Sequence, residues 1–427
     1  MTSGTLPKEA LGIIEQADTT FLAARHLAAN KTEEDDMDVN HRGGNPGFVR
    51  VEEDGRTLIL PDYSGNLFYS TLGSIESDRL AGLAFPNFVT GDILYVTGVA
   101  ENLYGKDADK VMPRATLVTR IRVTGFTYVE GGINLVSTEA HPSPYNPPIK
   151  YLASELSKLG KVPQDIRRPI RLIEAKRETR DISTFTFELE DGNPIDIIPG
   201  QHAILDFSAE KTAGYRHMAD EAPQSLNDDY IRSWTISSIP DLDANGNYTK
   251  STKFSCTIKN KYGGAVSPLL HRWARKRHNT DLEIKFVGVE GAFTCFDDHN
   301  QLSHDKLLFI AGGTGITPFM TMLEVFKARK MNPDLIFLFS ARGDETYLGR
   351  RFQEAGIETK IFDTEEDSEE EDVLKRRITY EDIVDIPDLK SREVYICGPD
   401  GFMNAVKEYL QKAGVEAHNI NIESFAF

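Results

Sequence analysis

The chain has 427 residues, with 66 acidic against 48 basic side chains and a formal net charge of −18. That length is too great for one ordinary hydrophobic core and predicts two or three domains. The negative sign repels phosphate backbones and speaks against a nucleic-acid partner. Residues 1–30 carry no leader pattern, and no apolar run reaches the roughly 20 residues that span a bilayer, so a cytosolic chain with no membrane partner is expected. Three cysteines, Cys256, Cys295 and Cys397, lie far apart without paired spacing. They cannot supply the four ligands of a cysteine-held iron–sulfur cluster, and neither a disulfide framework nor a metal site is expected.

In chain order, a short helix is expected over Pro7–Gln16, then strands at Gly47–Val51, Thr57–Leu60, Ile93–Thr97 and Arg114–Tyr128, separated by Gly/Asp turns. The proline-rich His141–Pro148 can be neither regular helix nor central strand, and reads as a linker before a short helix at Lys150–Leu159. Six further strands follow: Ile170–Ala175, Thr184–Leu189, His202–Phe207, Arg232–Ser238, Lys253–Ile258 and Leu282–Val287. Apolar strands then alternate with helical patterns: Leu307–Ala311, Pro318–Ala328, Leu335–Phe339, Leu348–Ala355, Val394–Cys397 and Gly401–Ala413. That alternation predicts a doubly wound parallel sheet. The acidic run 363–372 reads as a solvated loop or, alternatively, a docking patch for a basic partner.

Several short motifs carry chemistry. Gly263-Gly264 followed by Ser267 opens a helical pattern, and a helix start offers unpaired N–H groups to an anion. Leu307–Pro318 is a buried strand entering the turn Gly312-Gly313-Thr314-Gly315-Ile316-Thr317-Pro318, where glycines let the backbone approach a pyrophosphate and proline suits a first helical turn. The next strand ends in Ser340-Ala-Arg342, a hydroxyl and a cation that suit a 2′-phosphate and so favour NADPH over NADH. Arg342 could equally contact an ordinary ribose or pyrophosphate, and Asp344 and Glu345 stand close by. Cys397-Gly398-Pro399 forms another strand-to-helix turn.

With Arg232-Ser-Trp234-Thr235-Ile-Ser237-Ser238 before them and Glu423-Ser-Phe425 after, these motifs resemble the ferredoxin–NADP reductase family over residues 165–427 in order and spacing. The resemblance implies hydride transfer from a nicotinamide to FAD. Arg232 would pair with the flavin phosphates, helped by Gly264 and Ser267. Trp234, in place of the family's usual tyrosine, would pack on the flavin, and Thr235 would offer its hydroxyl near N5. His202 and Ser237 belong to the same flavin-binding stretches. Gly313, Thr314, Gly315, Thr317, Gly398 and Pro399 would hold the nicotinamide nucleotide. Cys397 and Glu423 would lie beside the hydride-transfer centre, and Phe425 would shield the flavin. Without the resemblance, Arg232, Trp234 and Cys397 read as an ordinary strand arginine and two packed core side chains.

The stretch from Asp38 to Arg79 looks like the pyridoxamine-phosphate-oxidase-like split β-barrel, a resemblance that extends over about residues 15–135. It implies a homodimer and, in the manner of such barrels, an FMN site using Ser70, Ser74 and Arg79; another ligand, or no flavin, is the alternative. His41-Arg42-Gly-Gly44 is a second polar cluster, or else a glycine turn with exposed side chains. The expected architecture is therefore multidomain α+β and α/β: a split barrel at 1–140, a linker with a short helix at 141–166, a six-stranded antiparallel FAD barrel at 167–300, and a parallel-sheet nucleotide domain at 301–427. The electron acceptor would be a second flavin, a quinone or another small molecule near the first barrel, or alternatively a separate redox protein.

Overall fold

The structure is a computed structural model that describes residues 5–27, 35–63, 69–135, 143, 145–158, 167–211, 220, 223–243, 248–275, 282–297, 300–365 and 372–423. The chain divides into two compact units, Met1–Ile166 with Thr212–Asp229, and Arg167–Lys211 with Tyr230–Phe427. No described helix is long and apolar enough to cross a membrane.

The first unit contains α1 (Lys8–Gln16), β1 (Thr19–His26), β2 (Asp36–Gly43), β3 (Arg50–Val51), β4 (Thr57–Pro61), α2 (Ser70–Asp78), β5 (Leu80–Pro86), β6 (Ile93–Tyr104), α3 (Lys106–Val111), β7 (Leu117–Val129) and α4 (Ala153–Lys158). Its strands form one seven-stranded sheet in the order β2-β1-β5-β6-β7-β4-β3, antiparallel throughout. Side chains alternate across the sheet with a period of two. Leu22, Ala24, Leu83, Phe85, Leu94 and Val96 point into a core closed by Ala10 and Ile14 of α1 and by Leu72 and Ile75 of α2. The strand expected at Gly47–Val51 contracts to β3, because Gly47 turns the chain at φ +87° and Phe48 N–H bonds back to Asn45. The expected Arg114–Tyr128 strand begins at Leu117, because Arg114 lies at φ +70° in a turn.

The second unit opens with a barrel: β8 (Arg168–Arg177), β9 (Ile182–Leu189), β10 (His202–Asp206), β11 (Ile231–Thr235), the small hairpin β12 (Asp241–Leu242) and β13 (Tyr248–Thr249), β14 (Lys253–Lys259), α5 (Ser267–Arg275) and β15 (Ile284–Glu290). Six strands run β11-β10-β15-β8-β9-β14, every neighbouring pair antiparallel. A bridge between Ile236 and Cys256, reinforced by Ser237 N–H to Ser255 O at 2.7 Å, joins the two end strands and closes the sheet. Phe185, Phe187, Leu205, Phe254 and Phe286 fill the interior, with Leu270 and Trp273 of α5 against them.

A parallel sheet follows, built from β16 (Lys306–Gly312), α6 (Thr317–Arg329), β17 (Asp334–Ala341), α7 (Tyr347–Glu354), β18 (Glu358–Asp363), β19 (Val373–Leu374), α8 (Tyr380–Val384), β20 (Glu393–Cys397), α9 (Asp400–Lys412) and β21 (Ile420–Glu423). Its order is β19-β18-β17-β16-β20-β21. Both faces are buried, as parallel sheets require. Leu307, Phe309 and Ala311 meet Phe319 of α6 and Phe352 of α7, while the alternate residues Leu308 and Ile310 meet Ile383 of α8 and Val406 of α9. At the amino ends of these strands Arg392, only 4% exposed, donates to Leu307 O and Asp334 O (both 3.1 Å) and pairs with the Asp334 carboxylate at 2.9 Å. Strand order reverses direction between β16 and β20, and such a switch point leaves a crevice at the carboxyl ends of the strands.

Candidate functional site at the switch point

Two glycine turns meet in that crevice. A Cβ on Gly315 would lie 2.2 Å from Cys397 O, so only glycine lets the turn after β16 press on the end of β20. The Phe402 ring lies 2.8 Å from the Cβ positions of both Gly312 and Gly398, filling the space behind the turn. Gly313 differs: its φ is +53°, and its Cβ direction opens into space, with Glu345 Oε2 the nearest atom at 3.9 Å. Residues Gly313–Ile316 form a single 3-10 turn and Pro318 enters α6 in its first turn, while the Thr317 hydroxyl donates to Thr314 O at 3.0 Å. Pro399 leads into α9 and is exposed, whereas Gly398 is buried. An open, positive-φ glycine backed by rigid packing is a backbone cradle that fits a nucleotide pyrophosphate.

Four of the sequence-predicted residues come together at the rim of this crevice. The pairing of β10 with β11 sets His202 opposite Thr235, and that of β20 with β21 sets Cys397 beside Glu423. His202 Nδ1 lies 3.7 Å from Glu423 Oε1. Thr321 of α6 donates its hydroxyl to Ile236 O at 2.6 Å, fastening the helix after the glycine turn to the residue after Thr235. Burial pushes the Glu423 carboxyl above its usual range and holds the His202 imidazole below its own, with Glu290 opposing the latter shift. The Cys397 thiol is fully buried and pushed well up, first by burial and then by Glu423, so it is a thiol at neutral pH and not a nucleophile. Phe425 lies outside the described residues.

On the barrel, Arg232 and Trp234 are half-buried on β11; Arg232 Nη1 donates to Ile231 O at 2.8 Å, and Trp234 stands edge-on to Phe207. Ser237 belongs to a hydroxyl ladder: Thr257 Oγ1 donates to it at 2.9 Å, and Thr184 and Thr257 meet at the same distance. Before α5, Gly263 is the open glycine, at φ +76° with nothing near its Cβ direction, whereas a Cβ on the expected Gly264 would crowd Lys261 O at 3.0 Å. The Ser267 hydroxyl accepts Lys261 N–H at 3.0 Å, which holds this turn in shape. A cation, an aromatic face, hydroxyls and an open glycine turn make a donor set that fits a flavin dinucleotide.

On β17, Ser340 is buried and Arg342 is exposed beyond the strand end. Asp344 and Glu345, already close in sequence, gather there with Asp363. Glu345 is buried, with one oxygen paired to Lys259 of β14. Asp344 accepts Arg180 N–H at 2.8 Å. Asp363, the first residue of the acidic run, is not a solvated loop residue: it ends β18 with no exposure and accepts Gly343 N–H at 3.1 Å and Glu365 N–H at 2.9 Å. Residues 366–371 of that run lie outside the described residues. The sequence signal was present in the glycine-plus-acid string Gly343-Asp344-Glu345, but only the fold brings it to the Gly313 turn.

In the first unit, Ser70, Ser74 and Arg79 lie on or just after α2. The Ser70 hydroxyl accepts the Asn40 amide at 3.3 Å, and the Ser74 hydroxyl donates to the Asp38 carboxylate at 3.1 Å. Arg79 caps the helix at φ +56°. His41 and Arg42 lie on β2, and Arg42 pairs with Asp62 at 2.5 Å, so they are not a bare glycine turn.

Residues 309–408 match the oxidoreductase NAD-binding domain family. Over 267 residues the chain is 28% identical to the glycine betaine monooxygenase reductase subunit of Pseudomonas aeruginosa, covering 61% of this chain and 64% of that protein. It is 25% identical over 265 residues to a flavohemoprotein of Oceanobacillus iheyensis, covering 60% and 59% of the two. The flavohem-like FAD/NAD-binding domain of nitric oxide dioxygenase from Vibrio cholerae superposes with a TM-score of 0.46 at 17% identity, covering 60% of this chain and 98% of that one. The chain thus spans less than two thirds of the length of these two sequence relatives.

Proposed function

We propose that the NAD-binding oxidoreductase domain at the carboxyl-terminal end serves an NAD(P)H-dependent flavin reductase that delivers electrons to a separate redox protein. The observation that carries this reading is the meeting of His202, Thr235, Cys397 and Glu423 beside the open Gly313 turn. FAD bound on the barrel would accept the nicotinamide hydride and pass the electrons on. Arg232 and the Gly263 turn would hold its phosphates, with Trp234 against its body. Gly313, Thr314 and the first turn of α6 would cradle the nicotinamide nucleotide, with Gly398 and Pro399 on the facing side. Thr235 would offer a hydroxyl at the transfer centre, and neutral Cys397 would wall it without competing as a nucleophile. The His202–Glu423 pair, with burial favouring the neutral form of each, would stand at the rim.

A separate protein as acceptor is supported by the relative named as a monooxygenase reductase subunit. In the second reading, the acceptor is a second flavin, a quinone or another small molecule at the first unit. The Ser74 hydroxyl faces the Asp38 carboxylate there, a poor neighbour for a phosphate, so the first reading is preferred. The first unit is proposed as a split barrel in the cytosol that pairs with a second copy. Its outward sheet face supports this, because Phe21, Val39, Leu80, Tyr95 and Val99 are exposed together on adjacent strands. Flavin extraction with stopped-flow reduction by NADH and NADPH tests the proposal. One FAD per chain, reduced rapidly, with slow turnover on free quinones, is expected. No FAD, or no reduction by either nucleotide, would overturn it.

A further inference from the structure

Resting on that reading, we infer that Glu345 is the group that recognises the adenosine ribose, and that it makes the site selective for the unphosphorylated nucleotide, NADH. Glu345 leaves β17 four residues after its last member, Ala341, and folds back within the 3-10 turn Gly343–Thr346. Its Oε1 is fixed by Lys259. Its Oε2 has no hydrogen-bond partner among the described residues and is the nearest atom to the open side of Gly313. A carboxylate oxygen fixed beside a pyrophosphate cradle is placed to accept the hydroxyls of the adjoining ribose.

The surroundings exclude a 2′-phosphate by charge. Asp363 carries its carboxylate to the Gly343 amide, and Glu365 Oε2 lies 2.8 Å from the Cβ direction of Gly343. Asp344 and Glu345 follow directly. Of the nearby cations, Lys259 pairs with Glu345 itself and Arg351 with Glu178. Arg342, exposed beyond the end of β17, and Arg180, whose backbone amide donates to Asp344, make no ion pair among the described residues. A phosphate dianion brought into this ring would meet like charge on several sides, whereas a ribose diol finds an acceptor. The strand-end reading of Ser340 and Arg342 favours the opposite choice, so the two can be told apart.

Equilibrium dialysis of the flavin-loaded protein against NAD+ and NADP+ decides it, read beside stopped-flow reduction by NADH and NADPH. NAD+ should bind about tenfold or more tightly than NADP+. Glu345→Gln should weaken NAD+ and draw the ratio toward unity without altering FAD content. Lys259→Met, which removes the ion pair but keeps the carboxylate, should retain the NAD+ preference; this separates loss of the pair from loss of the recognising group. Equal or tighter NADP+ binding by the natural protein would overturn the inference, as would an unchanged ratio in Glu345→Gln. Binding of neither nucleotide would overturn the reductase reading along with it.

Discussion

The two units each carry an antiparallel sheet with one face against a core, yet their other faces have opposite chemistry. On the barrel, the residues alternating with Phe185 and Phe187 are Thr184 and Thr186, and their hydroxyls meet Thr257 and Ser255 across the strands. On the first unit, the residues alternating with Leu22, Leu83 and Val96 include Phe21, Leu80, Tyr95 and Val99, all more than a third exposed, with Met37 and Val39 beside them at 65% and 59%. An antiparallel sheet in water usually shows polar side chains on its open face. The barrel obeys this rule, and its ladder suits a polar ligand. The first unit breaks it over several neighbouring strands, as a surface made to be covered does. On the proposed reading the barrel sheet binds the ligand and the apolar sheet a second copy, so variants of one should leave the other untouched.

The largest effect is expected from Arg232→Ala. On its proposed role at the flavin phosphates, loss of Arg232 should cost about 2–5 kcal/mol of FAD affinity, read as flavin absorbance retained after gel filtration. Full flavin occupancy at ordinary dilution would remove Arg232 from the site. Next, Val39→Glu combined with Leu80→Glu should convert a dimer into a monomer in sedimentation velocity at micromolar concentration, with FAD content and reduction rate preserved. A natural protein that sediments as a monomer would show that the apolar face is not covered by a second copy. Cys397→Ala should slow reduction of the bound flavin by about tenfold or more in stopped-flow, because hydride transfer tolerates little misplacement, while leaving FAD bound. A wild-type rate would reduce Cys397 to packing.

The smallest effect concerns Glu423. Its folded pKa lies above its unfolded value through burial, so folding favours the protonated form. That contribution is present at low pH and is lost as pH rises through the folded pKa. Glu423→Gln should therefore melt with the natural protein near pH 4 and about 1–3 °C above it at pH 8. A lower melting point at pH 8 would show that the ionised carboxylate is held by a partner, not merely tolerated.

Much of the second unit was legible in the sequence, for a physical reason. Gly312, Gly315 and Gly398 are demanded by backbone and ring contacts too close for a Cβ, so they leave a local glycine signature in the chain. The runs of Leu, Phe and Ile in β16 and β17 are buried on both faces and could hardly be read otherwise. The first unit was less legible. β1 and β2 were missed because Phe21, Met37 and Val39 face outward, which erases the alternation that announces a half-buried strand. Glu345 was noted beside Arg342 but given no role of its own, because its approach to the Gly313 turn is made by the fold and leaves no mark in the local sequence. Asp363 was misread because a carboxylate capping two backbone amides looks, in one dimension, like the start of a charged loop.

The buried Arg392 gives the parallel sheet a fixed end. By tying the entry residues of β16 and β17 to the start of β20, it clamps the rim farthest from the crevice. Breathing of the sheet is then restrained at the end away from the glycine turns. Amide exchange should be slowest near Leu307 and Asp334 and quicken along the strands toward Gly312 and Cys397.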